Sequence, residues 1–380
     1  MKKIFLILLC YLFICPFSIY ADELIKNSRS GILIEANSGK IIYEKNKDDK
    51  VSIASMTKMV AQIIILEEVE KGNIKWNDIV TVSRNASDMG GSQIYLAEGE
   101  KISVEDLMKG VSVASGNDAT VALAEYISGT EDKFVDRMNA KVKELGLKNT
   151  HFVNCTGLDQ DNHYSTSYDM AMIARDLVIN HPEILRFSSI YEDYLRKDTP
   201  NKFWLVNTNK LINFYEGADG LKTGHTDNAL YCLAATAIRN NLRLIAIVLG
   251  EKDSKIRNNE TIELLDYGFN NISLRVLKKK NTMVKSIKLS KATSNNLNIY
   301  LKNDLFVIED KIDRKKYNIK VEVNNIKLPI RKGEIVGKMV VYDNKKIVNS
   351  SALISLSNVE KLSFIELFKS NFIDLLCGKI

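Results

Sequence analysis

Cysteine and histidine are scarce in this 380-residue chain, five of the first and four of the second. Cys10 and Cys15 fall in an N-terminal apolar run. That leaves Cys155, Cys232 and Cys377, an odd and sparse set that implies no disulfide framework and has no metal-ligand spacing. His151, His163, His181 and His225 are scattered, so neither a zinc site nor any other metal or cofactor is expected. No basic patch with interleaved aromatics is present. The net charge of +6 is modest and acidic residues are plentiful, which excludes a nucleic-acid binder. Solenoid repeats and low-complexity segments are missing too. So is an apolar run long enough to span a bilayer, which takes about 20 residues. The candidate run, "IFLILLCYLFI" at 4–14, follows Met1-Lys2-Lys3, is broken by Pro16 and leads into "SIYA" ending at Ala21. It reads as an export signal over 1–21 rather than an uncleaved anchor. The "LFIC" at 12–15 touches a lipoprotein pattern, but Ile14 is too bulky for it.

What is present is apolar content: 45% hydrophobic residues, enough for a large core and two domains. "RSGILIEANSGKIIYEKN" alternates around Asn37-Ser38-Gly39 and predicts a β-hairpin. Residues 55–70 predict a helix. "SVEDLMKGVSVASGNDATVALAEYISG" predicts two helices separated by a Ser115-Gly116-Asn117 turn, with Ser103 and Asp106 resembling a capping box. Further helices are expected in "TEDKFVDRMNAKVKELGL", stopping near Gly146, and in "SYDMAMIARDLVINHP", ending before Pro182. "YCLAATAIRNNLRLIAIVLGE" predicts two buried strands around Asn240-Asn241, and "ETIELLDYGFNN" a closing helix. The fold class is α/β, a sheet covered by helices, over 22–273. The texture then changes. "RVLKKKN" reads as a charged connector, and "YNIKVEVNN" and "GEIVGKMVVYDNKKIV" as short strands of a small all-β domain over 274–358. In 359–380, Phe364, Phe368, Phe372 and Leu376 step by four with Ile365 and Leu375 beside them, an amphipathic helix.

The stretch "SIASMTKMV" sets Ser55 and Lys58 three apart, on one face at the start of an apolar helix. A serine hydroxyl barely ionises at neutral pH and needs a base to become a nucleophile. Lysine is such a base only when burial or another cation lowers its pKa. S-x-x-K alone is a weak signal. Two further stretches sharpen it: "SVASGNDAT", with Ser115 and Asn117, and "GADGLKTGHTDNALYCLAA", with Lys222-Thr223-Gly224. In this order they form the S-x-x-K, S-x-N, K-T-G set of penicillin-binding proteins and serine β-lactamases.

Over essentially its whole length the chain resembles the low-molecular-mass penicillin-binding proteins, serine-type D-alanyl-D-alanine carboxypeptidases of peptidase family S11. "GGSQIYLAEGEKISVEDLMKGVSVASGNDAT", "NTHFVNCTGLDQDNHYSTSYDMAMIARDL" and "GEIVGKMVVY" carry the likeness beyond the motifs. The resemblance implies a β-lactamase/transpeptidase-like catalytic domain, antiparallel sheet under helices, and removal of the terminal D-alanine from peptidoglycan pentapeptide stems. It implies acylation by β-lactams. Ser55 would form the acyl-enzyme, Lys58 serve as base with Lys222 helping to lower its pKa, Ser115 relay a proton to the leaving amine, and Asn117 orient Lys58 and the substrate amide. The oxyanion would rest on the backbone N–H groups of Ser55 and His225. Lys222 and Thr223, in the Lys-Thr-Gly motif that Gly224 completes, would bind the terminal carboxylate. Arg257 stands where the family has a carboxylate-binding arginine, a task that suits a bidentate guanidinium. It could instead pair with Glu260. The His225 side chain is either a base or a bystander to its own backbone, and the second reading is the simpler.

A class A β-lactamase is the nearest rival, but "ELGLK" at 144–148 lacks the Asn of its E-x-x-L-N deacylation motif. A non-catalytic β-lactam sensor is the other, and the complete motif set argues against it. The tail over 359–380 is expected to lie as an anchor on the outer face of the cytoplasmic membrane. Its own charges nearly balance, Glu360, Glu366 and Asp374 against Lys361, Lys369 and Lys379, so attraction of the tail to anionic lipid is expected to be weak.

Overall fold

The computed structural model describes residues 24–369. The expected export signal, and Phe372, Leu375, Leu376 and the rest of the tail beyond residue 369, lie outside the described residues. The chain forms two compact units. One takes residues up to Ile34 with 41–237 and 245–266. The other takes 35–40, 238–244 and the chain from Tyr267 onward.

The first unit is built on a five-stranded sheet. Its strands are β1 (Ser30–Glu35), β2 (Ile41–Lys45), β3 (Ala218–Thr226), β4 (Leu230–Arg239) and β5 (Leu242–Glu251), in the spatial order β2-β1-β5-β4-β3. The β1–β2 and β3–β4 pairs are antiparallel. The interiors of β4 and β5 are buried, as their unbroken Leu, Ile, Val and Ala runs demand. Both hairpins turn where the sequence places the turns. Asn240 and Asn241 take φ of 50° and 64°, the pair of left-handed residues a tight two-residue hairpin needs. At the β1–β2 turn the Glu35 carboxylate accepts from the Asn37 and Ser38 backbone N–H groups at 2.9 and 2.7 Å.

Six helices matter for the site. They are α1 (Lys58–Glu70), α2 (Val104–Lys109), α3 (Asn117–Ser128), α4 (Glu131–Glu144), α5 (Ser167–Asn180) and α6 (Ser254–Asn271). Ser103 caps α2 by accepting from the Asp106 N–H at 3.1 Å, and Thr130 and Thr166 cap α4 and α5 in the same way. Helix α1 is buried on every side from Lys58 to Leu66, as a central helix with no polar face must be.

Four local expectations are corrected. Residues 54–57 form a 3₁₀ turn, so α1 begins at Lys58 rather than Ser55. The first of the two helices around Ser115 ends in a π-helical turn, Gly110–Ala114. The closing helix α6 starts at Ser254, six residues before the expected Glu260, which puts Arg257 inside it. The charged "connector" is largely strand β6 (Ile272–Lys278), hydrogen-bonded to β9 (Leu305–Asp310).

The second unit continues with β7 (Met283–Lys288), β8 (Asn296–Leu301), β10 (Asn318–Val323), β11 (Ile335–Asp343) and β12 (Lys346–Ser355), a five-stranded sheet ordered β7-β8-β12-β11-β10. Leu297, Ile299, Leu301, Leu305, Val341 and Leu353 form its core. The tail does not begin as a helix at Val359. Val359 is buried and pairs with Ile330, and Lys361 pairs with Ala292. Helical backbone starts at Phe364. Among the described residues no helix is long and apolar enough to cross a membrane.

Candidate active site

The 3₁₀ turn does the first positioning. At three residues per turn, side chains at i and i+3 eclipse, and Ser55 and Lys58 are so related. The Lys58 Nζ lies 2.7 Å from the Ser55 Oγ. It donates to the Asn117 Oδ1 at 2.6 Å and to the Thr156 carbonyl at 2.8 Å. Ser55 is half-buried, whereas Lys58 is wholly buried. That burial lowers the Lys58 pKa to about 7.

The π-helical turn does the second. It ends at Ser115 in the left-handed region, φ 63°, which brings Ser115 and Asn117 together at the head of α3. The Asn117 amide is oriented without ambiguity, since its Nδ2 donates to the Gly90 carbonyl at 2.7 Å, leaving Oδ1 for Lys58. Next to it, the buried Asp118 carboxylate accepts from the Ile94 and Leu96 N–H groups and so holds the loop before α2.

Strand β3 supplies the third wall. Lys222 is buried, and its Nζ donates to the Ser115 Oγ at 2.8 Å and to the Thr223 carbonyl at 2.9 Å. Burial first, then the charges of Lys58 and Arg257, push its pKa well below the usual lysine value. Desolvation is the main cause of the lowered pKa at Lys58, and the charges of Lys58 and Lys222 are coupled across the cleft. The Thr223 hydroxyl donates to the Thr208 hydroxyl at 2.7 Å. Gly224 has no room for a side chain. A Cβ there would sit 2.7 Å from the Ile53 carbonyl oxygen, so glycine lets β3 press against the nucleophile turn and brings the His225 backbone beside it. Gly157 does the same from the opposite loop, where a Cβ would fall 1.9 Å from the Ala54 carbonyl oxygen.

The His225 ring is exposed and stacks on its cross-strand partner Tyr231 at 4.1 Å, in keeping with the simpler reading of that residue. Arg257 is 5% exposed and does not pair with Glu260. The Glu260 carboxylate instead accepts from the N–H groups of Lys26, Asn27 and Ser28. The Arg257 guanidinium donates to the Cys232 carbonyl at 3.3 Å and to the Asn258 Oδ1 at 2.8 Å, and among the described residues it has no carboxylate partner. Glu144, considered for a deacylating acid, ends α4 and is held by the Lys141 ammonium at 2.7 Å. Among the described residues no cluster could hold a metal ion.

One participant was not legible in the sequence. His163 is buried, and its pKa is lowered to about 4, chiefly by burial. Its Nδ1 accepts from the Val153 N–H at 3.3 Å, so Nε2 carries the proton and donates to the Thr57 Oγ1 at 2.7 Å. Thr57 in turn donates to the Ala54 carbonyl at 2.8 Å. Ala54 is held at φ 48°, a left-handed conformation that costs a non-glycine residue about 1–3 kcal/mol. The chain from Val153 through His163 and Thr57 is what holds it. Only tertiary contact between the loop after α4 and the turn reveals this. The nearest signal in the sequence was Thr57 itself, inside "SMTK".

Residues 20–253 match the model of the family described as D-alanyl-D-alanine carboxypeptidase, and residues 273–361 that of the penicillin-binding protein 5 C-terminal domain. The fold and the three-walled cleft thus define a serine-type penicillin-binding enzyme. The chain belongs to the D-alanyl-D-alanine carboxypeptidase family, peptidase S11. It is 43% identical over 352 residues to the D-alanyl-D-alanine carboxypeptidase DacF of Bacillus subtilis, covering 92% of this chain and 90% of that one. It is similar to the crystal structure of penicillin-binding protein 5 from Haemophilus influenzae, with a TM-score of 0.72 at 32% identity, over 88% of this chain and 98% of that one. It is similar also to penicillin-binding protein D2 of Listeria monocytogenes in its ampicillin-bound form, with a TM-score of 0.58 at 31% identity, over 64% of this chain and 97% of that one.

Replacing His163 by Phe removes the donor to Thr57 and frees Ala54 to relax. Small displacements of a reacting group cost up to about 100-fold. The expected outcome is a ten- to hundred-fold slower acylation by a β-lactam in stopped-flow measurement, with His163→Gln, which can still accept and donate, within a few-fold of the parent. A Phe variant as fast as the parent contradicts this role.

Proposed function

We propose that this chain removes the terminal D-alanine from peptidoglycan stem peptides ending in D-Ala-D-Ala, through an acyl-enzyme on Ser55. The observation that carries the reading is electrostatic. Three buried basic side chains, Lys58, Lys222 and Arg257, have no carboxylate partner among the described residues, and Lys222 feels the charge of both others. A buried cluster of basic groups with no ion-pair partner suits an anionic ligand.

A neutral lysine amine has two N–H groups and one lone pair. Two of the three neighbours of Lys58 Nζ are carbonyl oxygens, which only accept, and the third is the Ser55 hydroxyl. The lone pair therefore faces the serine. Ser55 Oγ attacks the carbonyl carbon between the two D-alanines while its proton passes to Lys58. The backbone N–H groups of Ser55 and His225 hold the oxyanion. The C–N bond then breaks, the leaving amine takes its proton through Ser115, and water hydrolyses the Ser55 ester. Lys222, Thr223 and Arg257 receive the terminal carboxylate, and that negative charge favours the charged form of Lys222. Asn117 orients Lys58, and Gly224 keeps the strand close enough for the oxyanion contact. β-Lactams acylate the same serine, a reading supported by the ampicillin-bound Listeria relative.

In the same reading, 1–21 is a cleaved signal, 22–273 the catalytic domain, 274–358 the β domain and 359–380 a segment that holds the enzyme flat on the outer face of the cytoplasmic membrane. The packing of Val359 and Lys361 into the β domain moves the start of the free helix to about residue 363.

Incubation with a D-Ala-D-Ala pentapeptide should release one D-alanine per peptide, and penicillin should leave one adduct on the peptide carrying Ser55. Absence of D-alanine release, or an adduct that persists in Ser55→Ala, contradicts the reading. Lys58→Ala should slow acylation about 10²–10⁴-fold. The pH dependence follows from the base form. The neutral amine is populated above its pKa, so kcat/KM should rise about tenfold per pH unit below about 7 and level off above it. A flat profile between pH 5.5 and 8.5 would rule out Lys58 as the base.

A further inference from the structure

The net charge of the whole chain conceals an uneven division. Residues 273–369 contain 21 Lys and Arg against 9 Asp and Glu, a surplus of +12, twice the +6 of the complete chain. Four of the nine acids are already used in ion pairs within the unit: Glu309 with Arg275, Asp343 with Lys315, Glu322 with Lys338 and Glu360 with Arg331. Most of the lysines are exposed to solvent and have no ion pair among the described residues.

Three of them lie on backbone segments that pair with one another. The extended segment 358–362 is bound on one side by 291–293 and on the other by 330–332. Ala292 pairs with Lys361 and Ile330 with Val359. The Leu362 N–H donates to the Lys291 carbonyl at 2.9 Å, and the Lys332 N–H to the Asn358 Oδ1 at 2.8 Å. Lys291, Lys332 and Lys361 are all exposed there, and none has an ion-pair partner among the described residues. The chain leaves this spot as a helix started by a reciprocal capping box. The Ser363 N–H and hydroxyl donate to the Glu366 carboxylate at 2.8 and 2.7 Å, and the Glu366 N–H donates back to the Ser363 Oγ at 3.3 Å. Those bonds lower the Glu366 pKa and hold its carboxylate, still charged, at the start of the helix. Phe364, Ile365 and Phe368 on the same turns are 82%, 67% and 64% exposed.

We propose that this end of the β domain is a docking surface for anionic phospholipid headgroups, with Lys291, Lys332 and Lys361 as its contacts. The proposal rests on the reading of the tail as an interfacial anchor and adds the partner's charge. A cationic collar around exposed Phe and Ile side chains matches a bilayer interface, which offers phosphate above and acyl chain below. A water-soluble polyanion would match the lysines and leave the aromatics in water. The tail alone, with its balanced charges, has little pull toward anionic lipid. The β domain supplies that pull.

The test is sedimentation of the exported form, residues 22–380, with vesicles of phosphatidylcholine alone or with about a third phosphatidylglycerol, at low and high salt. Each lysine near an anionic surface is worth about fivefold in affinity, so Lys291→Gln, Lys332→Gln and Lys361→Gln together should weaken binding to the anionic vesicles about a hundred-fold, with D-alanine release unchanged. High salt should do much the same to the parent. Equal binding of the parent to both vesicles, lost in Phe364→Ser/Phe368→Ser, would overturn the headgroup proposal while leaving the anchor reading intact. Binding confined to anionic vesicles, lost in the lysine variant but kept in the phenylalanine variant, would support the proposal and remove the anchor. No vesicle binding at all, or preference for a soluble glycerol-phosphate polymer over the vesicles, would overturn it outright.

Discussion

One buried amino group organises the catalytic unit. At neutral pH an unfolded lysine is charged, and holding the Lys58 pKa at about 7 instead of 10.5 costs about 4 kcal/mol of folding free energy. That is a large share of the stability of an ordinary domain. The surrounding structure is arranged so that the cost leaves a reactive amine rather than a frustrated one. Asn117 and Thr156 offer it two carbonyl oxygens, and the amide of Asn117 is itself locked by Gly90. The third direction belongs to Ser55. Each irregularity nearby serves this placement. The 3₁₀ turn eclipses the serine and the lysine. The left-handed Ala54 is stitched down by Thr57 and His163. Gly157 and Gly224 let two chain segments close on the turn.

The second consequence of that burial is anion affinity. Lys58, Lys222 and Arg257 lie in low dielectric with no ion-pair partner among the described residues. A carboxylate entering the cleft is stabilised more strongly there than in water, and it relieves the mutual repulsion felt at Lys222. The β domain uses the same sign of charge in the opposite setting. Its lysines are in water and screened by salt.

The sequence was most informative where chemistry resides in side chains at fixed spacing. Ser55, Lys58, Ser115, Asn117 and Lys222 occur in two hydrogen-bonded chains of the one cleft, and the hairpins, the caps at Ser103 and the αL pair Asn240-Asn241 follow from local rules. It was least informative where backbone geometry depends on remote packing. Nothing local says that 110–114 winds as a π turn, or that α6 reaches back to Ser254 and carries Arg257. The polar "RVLKKKN" hides a strand because β9, about thirty residues on, supplies its partner. His163 looked like one scattered histidine among four, since its partners Val153 and Thr57 lie 10 and 106 residues away.

The central claim is that Lys58 loses its proton near pH 7, so that much of it is amine at neutral pH. It is tested most directly by an NMR pH titration of ¹³C-labelled lysine in the free protein, with the Lys58 signal assigned by its loss in Lys58→Arg. A midpoint near 7 is the predicted result. A midpoint near 10.5, the ordinary lysine value, would contradict the account.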